Sequence, residues 1–477
     1  MNIIAIDIGT SRIKAALFDE SGAMSCLDSC RLDRASSPVT QNADEWFSVT
    51  SSLLRKITRQ CGSRVDAVVL TGNMHALLGI DSDGNPVADA VLWSDNSAAA
   101  ESDSLNKLCG KELITLCGNA STPVFTLPKI MRMKRMFPEL YAKSETFMQS
   151  KDYIAFRLTG KRITDPTDAS GVLGMDLKSF QWKKELFEEL EIDINKLPEI
   201  VPSASVCGYV TAQAAEFTGV PAGTPVVTGT GDLSSAAVGS GVNDDTISLT
   251  LGTAGQLLAT GKRGNSASLA GKLFVFAHAD PERELYLGSV PAGGFSYEWF
   301  SKMHNISMPE FFKLAESVPL KEDLPVFMPY ILGKGAPYMQ YTPSGAWFRL
   351  NASHTPGDMC RGAVFGALSP LRQCADLLEE LAGSRKNIVL QALACREKPV
   401  RETVCALFTQ EKFIPENSEA SLLGAAIVGA TAMQCYSDIN AASQKMITNT
   451  PLNTKTQETA QKLFSEFMKY ADFMQSL

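Results

Sequence analysis

The sequence predicts a two-domain α/β protein with a cleft between its halves, and three observations carry that reading. The chain has 477 residues, more than one ordinary hydrophobic core takes up. Strand-like and helix-like segments alternate along it. Two segments about half a chain apart also resemble each other: Ile3 to Phe18 reads IIAIDIGTSRIKAALF, and Thr246 to Thr260 reads TISLTLGTAGQLLAT. Each is an apolar strand, a Gly-Thr turn and a second apolar strand, with Gly9 matching Gly252 and Thr10 matching Thr253. Self-similarity of this kind marks a duplicated unit, although a glycine turn within one hairpin is common. The crossing between halves is placed near Asp244, giving domains over 1–243 and 244–477.

Taken in order, Ile3 to Phe18 predicts a hairpin and Asp44 to Gln60 an amphipathic helix. VVLTG, inside Arg64 to Gly79, is a short buried strand, and Leu127 to Phe137 has helical spacing. Pro225 to Gly229 is another strand, running into Gly229-Thr230-Gly231-Asp232 and then the small-residue helix LSSAAVGSGV. Pro356 to Leu381 and Ser421 to Gln434 read as buried or amphipathic helices, and Thr454 to Leu477 as a terminal one.

Composition narrows the function. Hydrophobic residues make up 45% and charged ones 20%, the balance of a soluble globular protein. Net charge is −8, with no basic block, so nucleic acid has no electrostatic footprint to meet. No apolar stretch approaches the roughly 20 residues of a membrane span. The N-terminus lacks a basic lead and meets Asp7 too early for a secretory signal. Eleven cysteines without a C-x-x-C pair, and four histidines, leave little for zinc and fit reduced thiols in a cytoplasmic protein.

Four segments can carry chemistry. In Asp7-Ile8-Gly9-Thr10-Ser11 a carboxylate ends a strand beside turn amides and hydroxyls. The amides and hydroxyls suit phosphate oxygens and the carboxylate suits magnesium, with Arg12 and Lys14 adding positive charge. A plain polar hairpin would look the same. Gly252-Thr253-Ala254-Gly255 is the partner turn, with Thr250 where the first copy has Asp7. In Gly229-Thr230-Gly231-Asp232 the carboxylate can take a proton from an attacking hydroxyl. For an isolated G-x-G-D the stronger reading is a helix N-cap, and the two roles are compatible. Asn73-Met74-His75 and Trp93-Ser94-Asp95 place polar groups beside an aromatic face, as a sugar pocket requires.

Taken together and in this order, these segments resemble the FGGY family of carbohydrate kinases, most closely its xylulokinase-like branch. The resemblance spans almost the whole chain: DIGTS, GNMHALLGIDSDGNPV, VLWSDN, SKDYIAFRLTGKRITDPTDASG over Ser150 to Gly171, GTPVVTGTGD, LTLGTAG, PAGGFSYEW and LLGAA. It implies two actin/Hsp70-like (ribonuclease H-like) ATPase domains around a central cleft, with sugar on the first and MgATP between them. It implies ATP and Mg2+ as cofactors, Asp7 on the metal and Asp232 as base. Gly9, Thr10, Ser11, Arg12, Gly252 and Thr253 would hold phosphates. Asn73, Met74, His75, Trp93 and Asp95 would surround the sugar, and Ala394, Cys395, Arg396 and Gly424 would meet the nucleotide. The implied partner is a small sugar, a ketose such as a pentulose or a polyol; nucleic acid and membranes are not expected, and a homodimer is left open.

The chain departs from the family pattern in places. Leu390-Gln391-Ala392-Leu393-Ala394-Cys395-Arg396-Glu397 stands where the adenosine segment carries G-G-G-x-x-S. Side chains on Ala392, Leu393 and Ala394 disfavour positive φ and fill space beside an adenine. Leu233 replaces an Asn, Ser97 an Arg, Lys334-Gly335 a Glu-Arg pair, Phe365-Gly366 a Glu-Gly pair and Ala254 a Ser. These changes favour, as the alternative, a catalytically weakened sugar-binding or regulatory protein of the same fold.

Overall fold

A computed structural model describes residues 1–33, 37–60, 62, 64–452 and 456–475. The first half builds a six-stranded sheet from β1 (Ile3–Ile8), β2 (Arg12–Phe18), β3 (Met24–Arg31), β4 (Ala67–Gly72), β5 (Val206–Tyr209) and β6 (Pro225–Gly231). Its spatial order is β5-β6-β4-β1-β2-β3, with β1, β4 and β6 parallel at the centre. Parallel strands covered on both faces need continuous apolar runs. IIAI and AVVL supply them, and all eight residues are buried.

The second half repeats the plan with β7 (Thr246–Leu251), β8 (Gly255–Lys262), β9 (Phe274–Ala277), β10 (Arg283–Val290), β11 (Asn387–Ala392), β12 (Glu411–Pro415) and β13 (Asn449–Leu452). Its spatial order, β9-β10-β8-β7-β11-β12-β13, matches that of the first sheet once β9 is set aside, although the edge strand β13 follows β12 in the chain whereas β5 precedes β6. Strand β7 pairs antiparallel with β8 and parallel with β11, as β1 does with β2 and β4. The sequence match of Gly9 with Gly252 is therefore a match of topology.

Helix α1 (Ala43–Gln60) buries Trp46, Leu53, Leu54 and Ile57 and opens on Asp44 and Glu45, which suit a helix N-terminus. Then come α2 (Ser150–Thr159), α3 (Pro166–Val172) and α4 (Asp232–Gly239) in the first half. The second half holds α5 (Pro356–Ala382), started by a Thr355–Asp358 capping box, α6 (Leu393–Arg396), α7 (Ala420–Ala432), α8 (Ile439–Met446) and α9 (Glu458–Phe473). The terminal helix expected from Thr454 begins at Glu458; residues 454, 455, 476 and 477 fall outside the described residues.

Each half also covers a face of the other. Leu423, Ala426 and Ile427 of α7 share a core with Ile3, Ala5, Val69 and Val227 of the first sheet. Ala237 of α4 joins Leu258, Phe276 and Leu285 of the second. Helices α4 and α7 meet backbone to backbone. A Cβ on Gly239 would lie 1.9 Å from the Ala420 carbonyl oxygen, and one on Gly424 would lie 1.8 Å from that of Ser235. Among the described residues no helix is long and apolar enough to cross a membrane.

Candidate active site

The three parallel strands of the first sheet end in one row, since Asp7 pairs with Thr71 and Thr71 with Thr230. The carboxyl ends of such strands are where open α/β sheets receive ligands. Asp7 stands in this row and Asp232 is the first residue beyond β6. Burial pushes Asp232 up to about 7, and the charge of Asp7 pushes the same way against the amides of Leu233 and Asp232. Burial likewise raises Asp7 to about 6, opposed by Lys14 and aided by Glu419. Two acids close enough to feel each other are thus poised near neutrality.

Strand β6 reaches this position through a bulge. Val227 faces Val69 and Thr230 faces Thr71, so Thr228 and Gly229 both fall against Leu70. Gly229 has φ +73°, and a Cβ there would sit 1.6 Å from the Leu70 carbonyl oxygen, so only glycine fits. The N-cap expected at Asp232 is corrected by one residue. Gly231 caps α4, and Asp232 is its first helical residue, its carboxylate held by the local amides. The extended approach of β6, with Gly231 at ψ 154°, sets this register.

The first phosphate-loop candidate turns tightly, with Gly9 N–H donating to the Arg12 carbonyl at 3.1 Å. Thr10 Oγ1 accepts from the Trp93 indole at 3.0 Å, which ties the loop to the expected sugar side. Arg12 donates to Ser29 on β3 at 2.9 Å, and Lys14 pairs with Glu419 at 2.5 Å. Ser11 is exposed at the tip of the turn. In the second loop, Gly252 O and Thr253 O accept from the backbone N–H groups of Gly294 (2.8 Å) and Phe295 (3.0 Å). The two glycines of PAGG make that approach possible, since a Cβ on Gly294 would meet Gly252 O at 2.5 Å.

On the sugar side, His75 is buried at φ +67°. Its N–H donates to Gln149 Oε1 at 2.6 Å, and its Nδ1–H donates to the Gly171 carbonyl at 2.9 Å. Burial lowers it to about 4, so the ring is neutral and Nε2 is left as an acceptor. Met74 is buried against Gly231 and Gly171. Asn73 is buried and donates to the Ile8 carbonyl at 2.9 Å, bracing β1 against β4. Trp93 is 46% exposed, and Asp95 Oδ1 accepts from Ser97 N–H at 2.8 Å and from the Ser97 hydroxyl. Ser97, where the resemblance led us to expect an arginine, therefore folds back onto Asp95.

Sequence reasoning missed Lys129 and the group around Lys151. Lys129 is 3% exposed and donates to the carbonyls of His75 (2.7 Å) and Val124 (2.8 Å). Burial lowers it to about 7, with nearby Asp95 pulling it up. Its signal was a lysine on the buried stripe of a helix, between Leu127 and Ile130. Lys151 is buried among Asp152 (2.6 Å), Asp165 (2.9 Å) and Asp168 (3.1 Å). One ammonium cannot balance three carboxylates, and burial raises Asp168 well above the usual range. Asp165 accepts from Thr167 Oγ1 at 2.7 Å and Ser203 Oγ at 2.7 Å, and Thr167 Oγ1 accepts from Gly231 N–H at 2.8 Å. This chain of bonds ends one residue from Asp232.

Strand β11 ends at Ala392, whose place opposite Leu251 repeats that of Gly72 opposite Ile8. Ala392 has φ +53° and ψ −129°, a glycine conformation kept by a residue with a Cβ. The Cβ expected to resist positive φ has not prevented it at Ala392, the residue that caps α6. Leu393 reaches the Gly294 turn, Ala394 is wholly buried, and Arg396 is exposed. The side chain of Cys395 lies outside the described residues. Gly424 faces Ser235 of α4.

Residues 2–239 match the model of the N-terminal domain of the FGGY family of carbohydrate kinases, and residues 235–433 match that of its C-terminal domain. The chain belongs to the FGGY family. A xylulose kinase from Staphylococcus xylosus is 27% identical over 98% of this chain and 99% of its own. A gluconokinase from Bacillus subtilis (strain 168) is 26% identical over 96% of this chain and 93% of its own. The crystal structure of ligand-bound xylulose kinase from Lactobacillus acidophilus superposes with a TM-score of 0.90 at 22% identity, covering 99% and 98% of the two chains. That likeness shows the two-domain FGGY fold. Within this FGGY chain, Asp7 near the end of β1 and Asp232 just past the end of β6 lie on one edge of the first sheet and are coupled.

Proposed function

We propose that this chain transfers the terminal phosphoryl group of ATP to a hydroxyl of a small sugar, a ketose such as a pentulose or a polyol. Asp232 is the general base and Asp7 the carboxylate that holds magnesium. The observation that carries this reading is Asp232 itself, raised to about 7 at a strand end beside Asp7. A base that titrates near working pH combines useful ionisation with useful basicity. The sugar hydroxyl gives its proton to Asp232 as its oxygen bonds to phosphorus, and the bond to the ADP oxygen breaks. Asp7 offers a single carboxylate, which suits magnesium, an ion that keeps water and phosphate oxygens as its other ligands. Bound there, the ion would supply neutralisation of phosphate charge.

Neutral His75 offers Nε2 to a second sugar hydroxyl, Asp95 accepts from a third, and the exposed Trp93 face stacks on the carbon skeleton. The glycines at 252, 293 and 294 keep the second loop open to phosphate oxygens through its amides. ADP release from MgATP across a panel of ketoses, aldonates and polyols tests the reading. Asp232→Asn removes nearly all sugar-dependent turnover and leaves sugar binding intact; full turnover in that variant sinks the assignment.

Ala392 favours a second reading, of a weakened or regulatory family member. Its strained backbone and added Cβ sit in the segment expected to carry adenosine. Absence of turnover with every sugar, in folded protein that still binds one, would select it.

A further inference from the structure

His75 has a left-handed backbone, φ +67°, which is uncommon outside glycine and persists only where the surroundings hold it. Here they hold it from every side. Its N–H donates to Gln149 Oε1 at 2.6 Å, and Gln149 is anchored in turn by donating to the Asp168 carbonyl at 2.6 Å. Its carbonyl accepts from Lys129 Nζ at 2.7 Å. The ring donates from Nδ1 to the Gly171 carbonyl at 2.9 Å and meets the Phe125 ring edge-to-face at 5.1 Å. Gly171 lies flush against the imidazole, since a Cβ there would come within 3.0 Å of Nδ1. That leaves Nε2 as the polar atom of His75 without a partner among the described residues.

Lys129 is the costly member of this clamp. It is buried on the Thr126–Met136 helix, and a buried ammonium ordinarily sits against a carboxylate. Among the described residues it makes no ion pair. Its bonds go to two carbonyls instead, that of His75 and that of Val124 at 2.8 Å, just before its own helix. A methionine would fill the same space without desolvating a charge, so packing alone does not account for a lysine. Burial lowers Lys129 to about 7, with nearby Asp95 opposing. An ammonium has three N–H groups and an amine two, so both carbonyls stay held on either side of that value.

We propose that Lys129 is a positioning residue for sugar binding: by tying the His75 carbonyl to that of Val124, it holds the left-handed turn that aims His75 Nε2 at a sugar hydroxyl. This inference rests on the reading of His75 as a sugar contact. The bonds of Lys129 reach neither Asp7 nor Asp232, so its contribution is the same before and during phosphoryl transfer. A uniform contribution of that kind sets KM and leaves kcat alone.

Lys129→Met has nearly the same length and removes both donors. It is compared with wild type as full-length protein that melts cooperatively, with D-xylulose, D-gluconate and xylitol as probes. For whichever probe is phosphorylated, we expect the sugar KM to rise about tenfold or more, with kcat within about twofold and the ATP KM unchanged. In 15N spectra of the histidine rings, wild-type His75 gives the signal of a fixed Nδ1–H ring, and in Lys129→Met that signal moves toward the average of the two tautomers. Should Lys129→Met not fold, Lys129→Gln, which still holds one carbonyl through its amide, carries the same expectations in smaller degree. Wild-type protein that turns over none of the probes counts against the kinase reading alone, and the His75 signal then decides this inference. An unmoved His75 signal overturns it. So does an unchanged sugar KM, even with a lower melting temperature, or a loss that falls on kcat.

Discussion

Asp232 carries a pKa near 7 for two separable reasons, burial and the negative charge of Asp7. Only the second can be removed without emptying the site. In metal-free protein, Asp7→Asn is expected to lower the Asp232 titration midpoint, read by carboxyl 13C NMR; an unmoved midpoint would show that the two acids are not coupled. The same shift has a stability consequence. The folded protein keeps the Asp232 proton up to about 7, whereas an unfolded Asp releases it near 4. Stability from this group is therefore full at low pH and is lost as pH rises through 7. Asp232→Asn should accordingly raise the thermal midpoint more at pH 8 than at pH 5. At Ala392 the strain of a positive φ costs about 1–3 kcal/mol. Ala392→Gly relieves it at an entropic cost of roughly 0.5–1 kcal/mol, and we expect a higher melting temperature together with tighter ATP binding by calorimetry. A lower melting temperature would contradict the strain.

The elements that build the site were legible from their ends more than from their interiors. Gly229-Thr230-Gly231-Asp232 announced a strand giving way to a helix, and the structure places both there, with the cap one residue earlier. The bulge at Gly229 was not readable, because its cause is the carbonyl of Leu70 on the neighbouring strand. The brace from Lys151 was hidden in the same way. Its members Lys151, Asp165, Thr167 and Ser203 meet only after α2, α3 and the segment before β5 have packed. Thr167→Val takes away the acceptor of the Gly231 N–H, leaving a buried donor unpaired at about 1–3 kcal/mol. Because Gly231 precedes Asp232, the expected effect is a lower kcat with little change in sugar KM, restored by Thr167→Ser. A change in KM alone would place the brace on substrate binding instead.

At the scale of the whole molecule, the duplication was visible because one turn, Gly-Thr, recurs between apolar runs. The matching order of the two sheets follows from it. The sequence did not show that α7 lies on the first sheet, since that contact joins residues far apart in the chain, as with Gly429 against Val69. Nor could it show why Gly239 and Gly424 are glycines. Each fits only because the other helix presents bare backbone. Gly424→Ala must force α4 and α7 apart, and overpacking of this kind costs about 1–3 kcal/mol. A markedly lower melting temperature is expected, and an unchanged one would mean that the crossing is loosely packed.

That crossing differs from an ordinary helix pair in what fills it. Where helices interlock through long side chains, a change of angle forces many rotamers to repack. At Gly239 and Gly424 the contact has no side chain of its own, although Val238 of α4 shares a core with Leu422 and Leu423 of α7 beside it. The carbonyls of Ser235 and Ala420 occupy the space that a Cβ on Gly424 or Gly239 would need. At Gly239 and Gly424 the spacing of the two helices is set by main chain alone, with no side chain to act as a shim.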